Sequence, residues 1–217
     1  MKFKKLKNHL LAMVGLLVAG VSSAETTPVM FSLFAPVQVP YRSYDVAGFR
    51  LSLLYGECRD FTGLDIGVVQ RSTGDFTGLS IGGANIVGGQ FYGLQVGIVN
   101  VETYSAAEWS RRSAGVQFGL VNHAEDFCGL QNGVINAGIG TFTGLQDGFV
   151  NFAENLRGAQ CGNWLILGVN VASSVYGCQL GLINYANRME SGLQIGIVNI
   201  IANNGWLPVL PLVNGGF

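Results

Sequence analysis

The chain has 217 residues, 49 % of them apolar and only 12 % charged, which supplies material for a sizeable core and excludes a disordered chain. All four lysines stand in the first seven residues. Beyond them eight arginines face thirteen carboxylates, a net charge of −5, so the basic surface that nucleic acid needs is excluded, as is a polybasic patch for anionic lipid.

Residues 1–24 read as a secretory leader. Lys2, Lys4, Lys5 and Lys7 form its basic start, Leu10 to Val21 its apolar run, and Ser22-Ser23-Ala24 a small-residue cleavage site, so the mature chain is expected to begin at Glu25. The apolar run is well short of the ~20 residues that span a bilayer. Residues 25–45, with Phe31, Phe34, Pro36 and Pro40, read as an N-terminal cap, because proline blunts an exposed strand edge.

Residues 46–204 are a tandem repeat. One glycine recurs at Gly48, Gly63, Gly78, Gly93, Gly115, Gly129, Gly144, Gly158, Gly177 and Gly192, at spacings of 15, 15, 15, 22, 14, 15, 14, 19 and 15. A second glycine follows four residues later in nine units. Gln stands two after the first glycine in seven units (Gln95 to Gln194), and Asn seven after it in seven (Asn85 to Asn199). Within a unit the pattern alternates: Leu193, Ile195, Ile197 and Asn199 fall on one side, Gly192, Gln194, Gly196 and Val198 on the other. A period of two is a strand, and turn residues such as Ser72-Thr73-Gly74-Asp75 and Asn203-Asn204-Gly205 separate the units. The expected fold is all-β: a parallel β-solenoid of about ten ~15-residue coils. Its aliphatic side should fill the interior, and its Asn and Gln positions should stack as amide ladders. Residues 205–217, with Pro208 and Pro211, read as the C-terminal cap.

An up-and-down outer-membrane β-barrel is the alternative, since one strand plus a turn also fits the period. Against it, the aliphatic side offers only about three consecutive outward residues for an apolar band ~25 Å tall. Moreover, Phe61, Phe76, Phe91, Phe127 and Phe142 share parity with the Gly/Gln side and would point into a lumen.

Little catalytic chemistry is visible. His123, the one histidine after the leader, reads as a solvated turn residue, and no His/Cys set has zinc spacing. Carboxylates such as Asp60, Asp75, Glu125, Asp126 and Glu154 are scattered among turns, and nothing marks a glycosidase pair. No cofactor is implied. Cys58, Cys128, Cys161 and Cys178 occupy different repeat positions. Cys161 and Cys178 are the most plausible pair, but diagonal neighbours lie about 7–8 Å apart, so buried free thiols are the favoured reading. Two insertions interrupt the repeat. The one after Asn100 carries the candidate binding residues Tyr104, Glu108, Trp109, Arg111 and Arg112; the one around Asn163-Trp164-Leu165-Ile166 is shorter. Aromatic and arginine side chains on loops suit recognition, against the plainer reading that Trp109 and Trp164 fold back as packing.

The stretches Gly93-Leu94-Gln95-Val96-Gly97-Ile98-Val99-Asn100 and Gly192-Leu193-Gln194-Ile195-Gly196-Ile197-Val198-Asn199 resemble the G-L-Q-x-G-L-x-N unit of bacterial surface-repeat proteins. The tail Asn204 to Asn214 is similar to theirs, and the resemblance covers about residues 30–217. The first two units depart from it, with Arg50 and Asp65 at the Gln position and Tyr55 and Gln70 at the Asn position. The resemblance implies export to the cell envelope, outer-membrane surface or periplasm, and no catalytic residues. The expected function is a non-enzymatic scaffold or binding surface, with an envelope glycan or protein as partner and membrane association left open. The alternatives are a barrel serving as pore or anchor, and a carbohydrate-active enzyme on a β-helix.

Overall fold

The computed structural model describes residues 25–103, 112–162 and 167–217, all in strands and the turns between them. The strands are β1 (Thr26–Phe34), β2 (Val37–Val39), β3 (Asp45–Cys58), β4 (Phe61–Ser72), β5 (Phe76–Val87) and β6 (Phe91–Val96). They continue with β7 (Val99–Glu102), β8 (Ser113–Glu125), β9 (Phe127–Gly162), β10 (Val169–Leu180), β11 (Ile183–Asn203) and β12 (Val209–Gly216). From β1 to β11 the pairing runs parallel, coil on coil, and the repeat register is kept: Gly63 lies on Gly48, Gly78 on Gly63, Asn184 on Asn170 and Gln194 on Gln179. This is a parallel β-solenoid of about 11 turns, not a barrel. At one end β2 folds back antiparallel on β1; at the other β12 runs antiparallel along β11.

The direction of the side chains overturns one expectation. The aliphatic side does not fill the interior: Leu193, Ile195 and Ile197 are exposed, while Gln194 and Asn199 are both fully buried. Five positions separate that Gln from that Asn, an odd number that one alternating strand cannot bring to the same side. Each coil is therefore two strand segments joined by a corner near the second glycine, and the corner resets the parity. Four positions per coil point inward: the Phe two before the first glycine, the Gln, the Asn, and the residue two after the Asn, commonly Ala (Ala124, Ala153, Ala172, Ala186).

Both amide columns form continuous ladders. Gln117 Nε2 donates to Gln95 Oε1 at 2.9 Å, and the chain continues through Gln131, Gln146, Gln160 and Gln179 to Gln194 at 2.7–2.9 Å. Asn85 Nδ2 donates to Asn100 Oδ1 at 2.7 Å, and the chain continues through Asn122, Asn136, Asn151, Asn170 and Asn184 to Asn199 at 2.8–2.9 Å. The ladders run in opposite senses: each Gln donates to the coil before it, each Asn to the coil after it. Their amide dipoles therefore oppose one another across the core. The second N–H of each amide from Asn85 to Asn184 is taken up by a main-chain carbonyl of the next coil, as from Asn136 to Asp147 O at 2.9 Å. Polar side chains can fill this interior because parallel stacking sets identical amides one coil apart, about 4.8 Å, where each supplies the partner the next requires. The Gln ladder ends open: Gln95 Nε2 and Gln194 Oε1 have no hydrogen-bond partner.

The phenylalanines stack beside the ladders. Phe61, Phe76 and Phe91 lie with ring centroids 5.1 and 5.7 Å apart, and Phe127 and Phe142 at 5.8 Å. Ser113 takes the Phe position between them; it is small enough that Phe91 and Phe127 stack across it at 6.2 Å, and its Oγ accepts the Phe91 N–H. The first glycine of every unit has φ between +133° and +157°, a region closed to other residues. A Cβ there would sit 1.7–2.3 Å from a carbonyl oxygen of the preceding coil.

Replacing Asn136 by Leu should remove the acceptor of Asn122 Nδ2 and the donor of Asn151 Oδ1 inside a dry core. The expected loss is about 1–3 kcal/mol, read from the urea midpoint. Leu at both Asn136 and Asn151 with an unchanged midpoint would show the ladder to be energetically idle.

Candidate functional site

Of the predicted binding loop, Tyr104, Glu108, Trp109 and Arg111 lie outside the described residues, as does Trp164. Arg112 is half-buried at the point where the chain rejoins the stack. The coils close beneath the insertion without losing register, with Asn100 on Asn122, Val101 on His123 and Ser113 on Phe127. Glu102, just before the insertion, is fully buried, and its Oε2 accepts the Glu125 N–H at 3.0 Å.

Two other expectations are corrected. His123 is no turn residue: it is half-buried within β8, on the outward side, because the strand continues to Glu125. The four thiols are free, but only Cys58 is buried; Cys161 and Cys178 are half-buried and Cys128 is exposed, since these three occupy outward positions. Cys178 aligns with Ala159, and Cys161 with Leu180, two positions apart as the repeat spacing implies. Burial pushes both thiols above their ordinary range, and in Cys161 the neighbouring Cys178 and Asp147 add to it.

Charge inside the core is concentrated at its N-terminal end. Arg50 and Asp65, 1 % and 0 % exposed, stand where later units place Gln. Arg50 Nε donates to Asp65 Oδ1 at 2.8 Å, and Nη2 donates to Oδ2. Nη1 donates to Arg71 O and to Cys58 Sγ, both at 2.9 Å, and the guanidinium lies 5.0 Å over the Phe61 ring. Burial opposes the Arg50 charge, but the hydrogen bonds and charge of Asp65 more than offset it, and the guanidinium is held above its ordinary range. Burial pushes the Cys58 thiol up against the pull of Arg50, leaving it protonated at neutral pH. With its donors occupied, this cluster is a core ion pair, closed to solvent.

An open groove of about 920 Å³ lies on the outer surface of the C-terminal coils. Thr141, Asn155, Arg157, Ser174, Tyr176 and Glu190 line it, and Tyr176 is 63 % exposed. Glu190 is paired with Arg188 at 3.1 Å. An exposed ring flanked by guanidinium, amide and hydroxyl groups suits a polar, ring-bearing ligand such as a sugar. The sequence reading missed this groove. Its signal was a departure from consensus: Arg157 and Tyr176 precede the first glycine where Thr62, Thr77 and Thr143 stand in other units.

Among the described residues no group of three or more His, Cys, Asp or Glu side chains could hold a metal ion. Comparison of the chain with protein-family models, with curated proteins and with solved structures finds no match.

Proposed function

We propose that the chain is an exported cell-envelope repeat protein that acts as a non-enzymatic scaffold, with its outer surface as the binding surface. The observation that carries this reading is how the repeat divides its chemistry. The repeated Gln, Asn and Phe side chains are buried in ladders and stacks, where they hold one coil on the next. The outward positions vary from coil to coil and carry exposed aromatic and arginine residues, as at Arg157 and Tyr176. A rod stiffened from within and variable outside is the arrangement by which repeat proteins present extended binding surfaces. The leader-like start and the resemblance to surface-repeat proteins are what support an envelope location.

The full-length chain, expressed with its own leader in a bacterial cell, is expected in the envelope fraction with Glu25 as its first residue, read by mass spectrometry. An uncleaved chain in the cytosol would overturn the reading. For the binding surface, cutting the Val101 to Ser113 insertion back to an ordinary turn while keeping Val101, Glu102 and Ser113, which belong to the stack, is expected to change the unfolding midpoint little, since the coils already close beneath it. It should abolish capture of the envelope glycan or protein recovered with the full chain. Unfolding of the shortened rod would make Trp109 a packing residue. Retained folding and capture would move the site to the Tyr176 groove.

A further inference from the structure

The outward positions of the coils are not uniformly variable. Number each coil from its first glycine and take the outward positions one, three, five and six residues later, through the nine coils from Phe61 to Asn204. Among the described residues these hold a single charge, Asp147, which accepts a hydrogen bond from Asn132 at 2.9 Å. The rest are almost all aliphatic or aromatic. The fifth position is the corner itself, and there Val68, Ile98, Leu120, Phe149 and Ile197 are between 47 % and 62 % exposed. From Val68 to Ile197 the line of corners spans nine coils, eight steps or about 38 Å, and the described corners between them also hold Gly83, Val134, 41 % exposed, and half-buried Leu182. The caps extend it: Leu53 and Leu54 bulge out at the first coil, each 56 % exposed, and Leu212, 72 % exposed, lies opposite Gly196 at the last corner. Charge sits on the opposite edge, in the turns that carry Arg59, Asp60, Asp75, Asp126, Glu154 and Arg188. In cross-section the rod is amphipathic.

We infer that this aliphatic edge is a lipid-facing surface, on which the rod lies in the plane of a bilayer interface with its charged turns in water. Three features favour lipid over a protein partner. First, the edge is convex and its apolar columns continue onto both adjoining faces. A rigid flat partner covers one face, whereas acyl chains can surround a ridge. Second, the main chain at the described corners is already hydrogen-bonded from coil to coil, so its N–H groups there need no water: Ile98 N–H donates to Gly83 O, Leu120 N–H to Ile98 O and Val198 N–H to Leu182 O, at 2.9–3.0 Å. Third, among the described residues charge is segregated to the far edge, Asp147 apart, as in interfacial elements that bind by burying one face. With no lysine after residue 7, insertion of apolar side chains is the attraction, and an anionic headgroup is not required. The inference extends the envelope reading but does not depend on export, because the test is made on purified components.

The full-length chain, expressed with its leader and purified as the cell processes it, should float with vesicles of zwitterionic phosphatidylcholine. Binding should be unchanged between about 0.05 M and about 0.5 M salt, where a charge-driven contact would weaken. Leu120→Glu with Phe149→Glu should cut the bound fraction at least about tenfold. A position-specific measurement covers the case in which that variant fails to fold. In a chain whose tryptophans are replaced by Phe, Phe149→Trp should be quenched by brominated lipid and Glu154→Trp, on the charged edge, should not. Absence of flotation, or equal quenching at both positions, overturns the inference. So does a chain that ignores vesicles and is a dimer in solution made monomeric by the Leu120→Glu/Phe149→Glu pair, which would make the edge an interface between copies.

Discussion

Arg50→Met is expected to lower the free energy of unfolding by about 3–5 kcal/mol, because it leaves the Asp65 carboxylate fully buried without its counter-charge. The same change removes the donors to Arg71 O and to Cys58 Sγ and the cation over the Phe61 ring. The ion pair is nonetheless not an obligatory part of the fold, since seven later coils place Gln in this column. The double variant Arg50→Gln/Asp65→Gln should therefore recover a large part of the loss. It replaces two desolvated charges by amides of the kind that already stack from Gln95 to Gln194. Equilibrium urea unfolding of both variants checks this. A double variant no more stable than Arg50→Met would mean that the charges, and not the filling of the column, hold the N-terminal coils together.

Gly144→Ala should be at least as damaging, at about 3 kcal/mol or more, and should broaden the unfolding transition. Gly144 has φ +134°, and a Cβ there would stand 2.0 Å from the Gly129 carbonyl oxygen, so a side chain would collide with the ladder of main-chain bonds between two coils. Gly138→Ala is the control. Its φ is ordinary, the nearest atoms to a new Cβ are those of the Phe142 side chain at 3.0–3.3 Å, and Ala already occupies this inward column at Ala124 and Ala153. It should cost far less than Gly144→Ala, no more than about 1 kcal/mol, since only the Phe142 side chain must give by a few tenths of an ångström. Similar losses from both substitutions, measured by thermal or urea unfolding, would refute the special role of the first glycine.

The reading of residues alone reached the coil, the period and the amide ladders because a tandem repeat in a parallel stack superposes equal positions. Whatever recurs at Gln131 and Gln146, or at Asn136 and Asn151, must then meet itself one coil later. It also identified Arg50 and Asp65 as departures from the Gln column, although not as partners. It missed the groove at Tyr176, because that surface is assembled from outward residues of several coils, and the departures Arg157 and Tyr176 do not by themselves say that they meet. The predicted loop from Tyr104 to Arg111 lies outside the described residues, and Arg112 marks its base.

The sequence by itself determined that this protein is a β-strand repeat whose Gln and Asn side chains bond in register, since period and composition are properties of one unit and stacking multiplies them. Only the tertiary structure decided which side is the inside. Alternation predicts two faces but cannot locate a corner. The corner between Gly196 and Asn199 shifts the parity by one, bringing Gln194 and Asn199 into the same interior and turning Leu193, Ile195 and Ile197 outward. The core is thus built of amides and phenylalanine, and the aliphatic residues form an outer edge. The physical reason is that an amide can satisfy an identical amide one coil away, whereas an aliphatic side chain needs no such partner and can be placed wherever the chain turns.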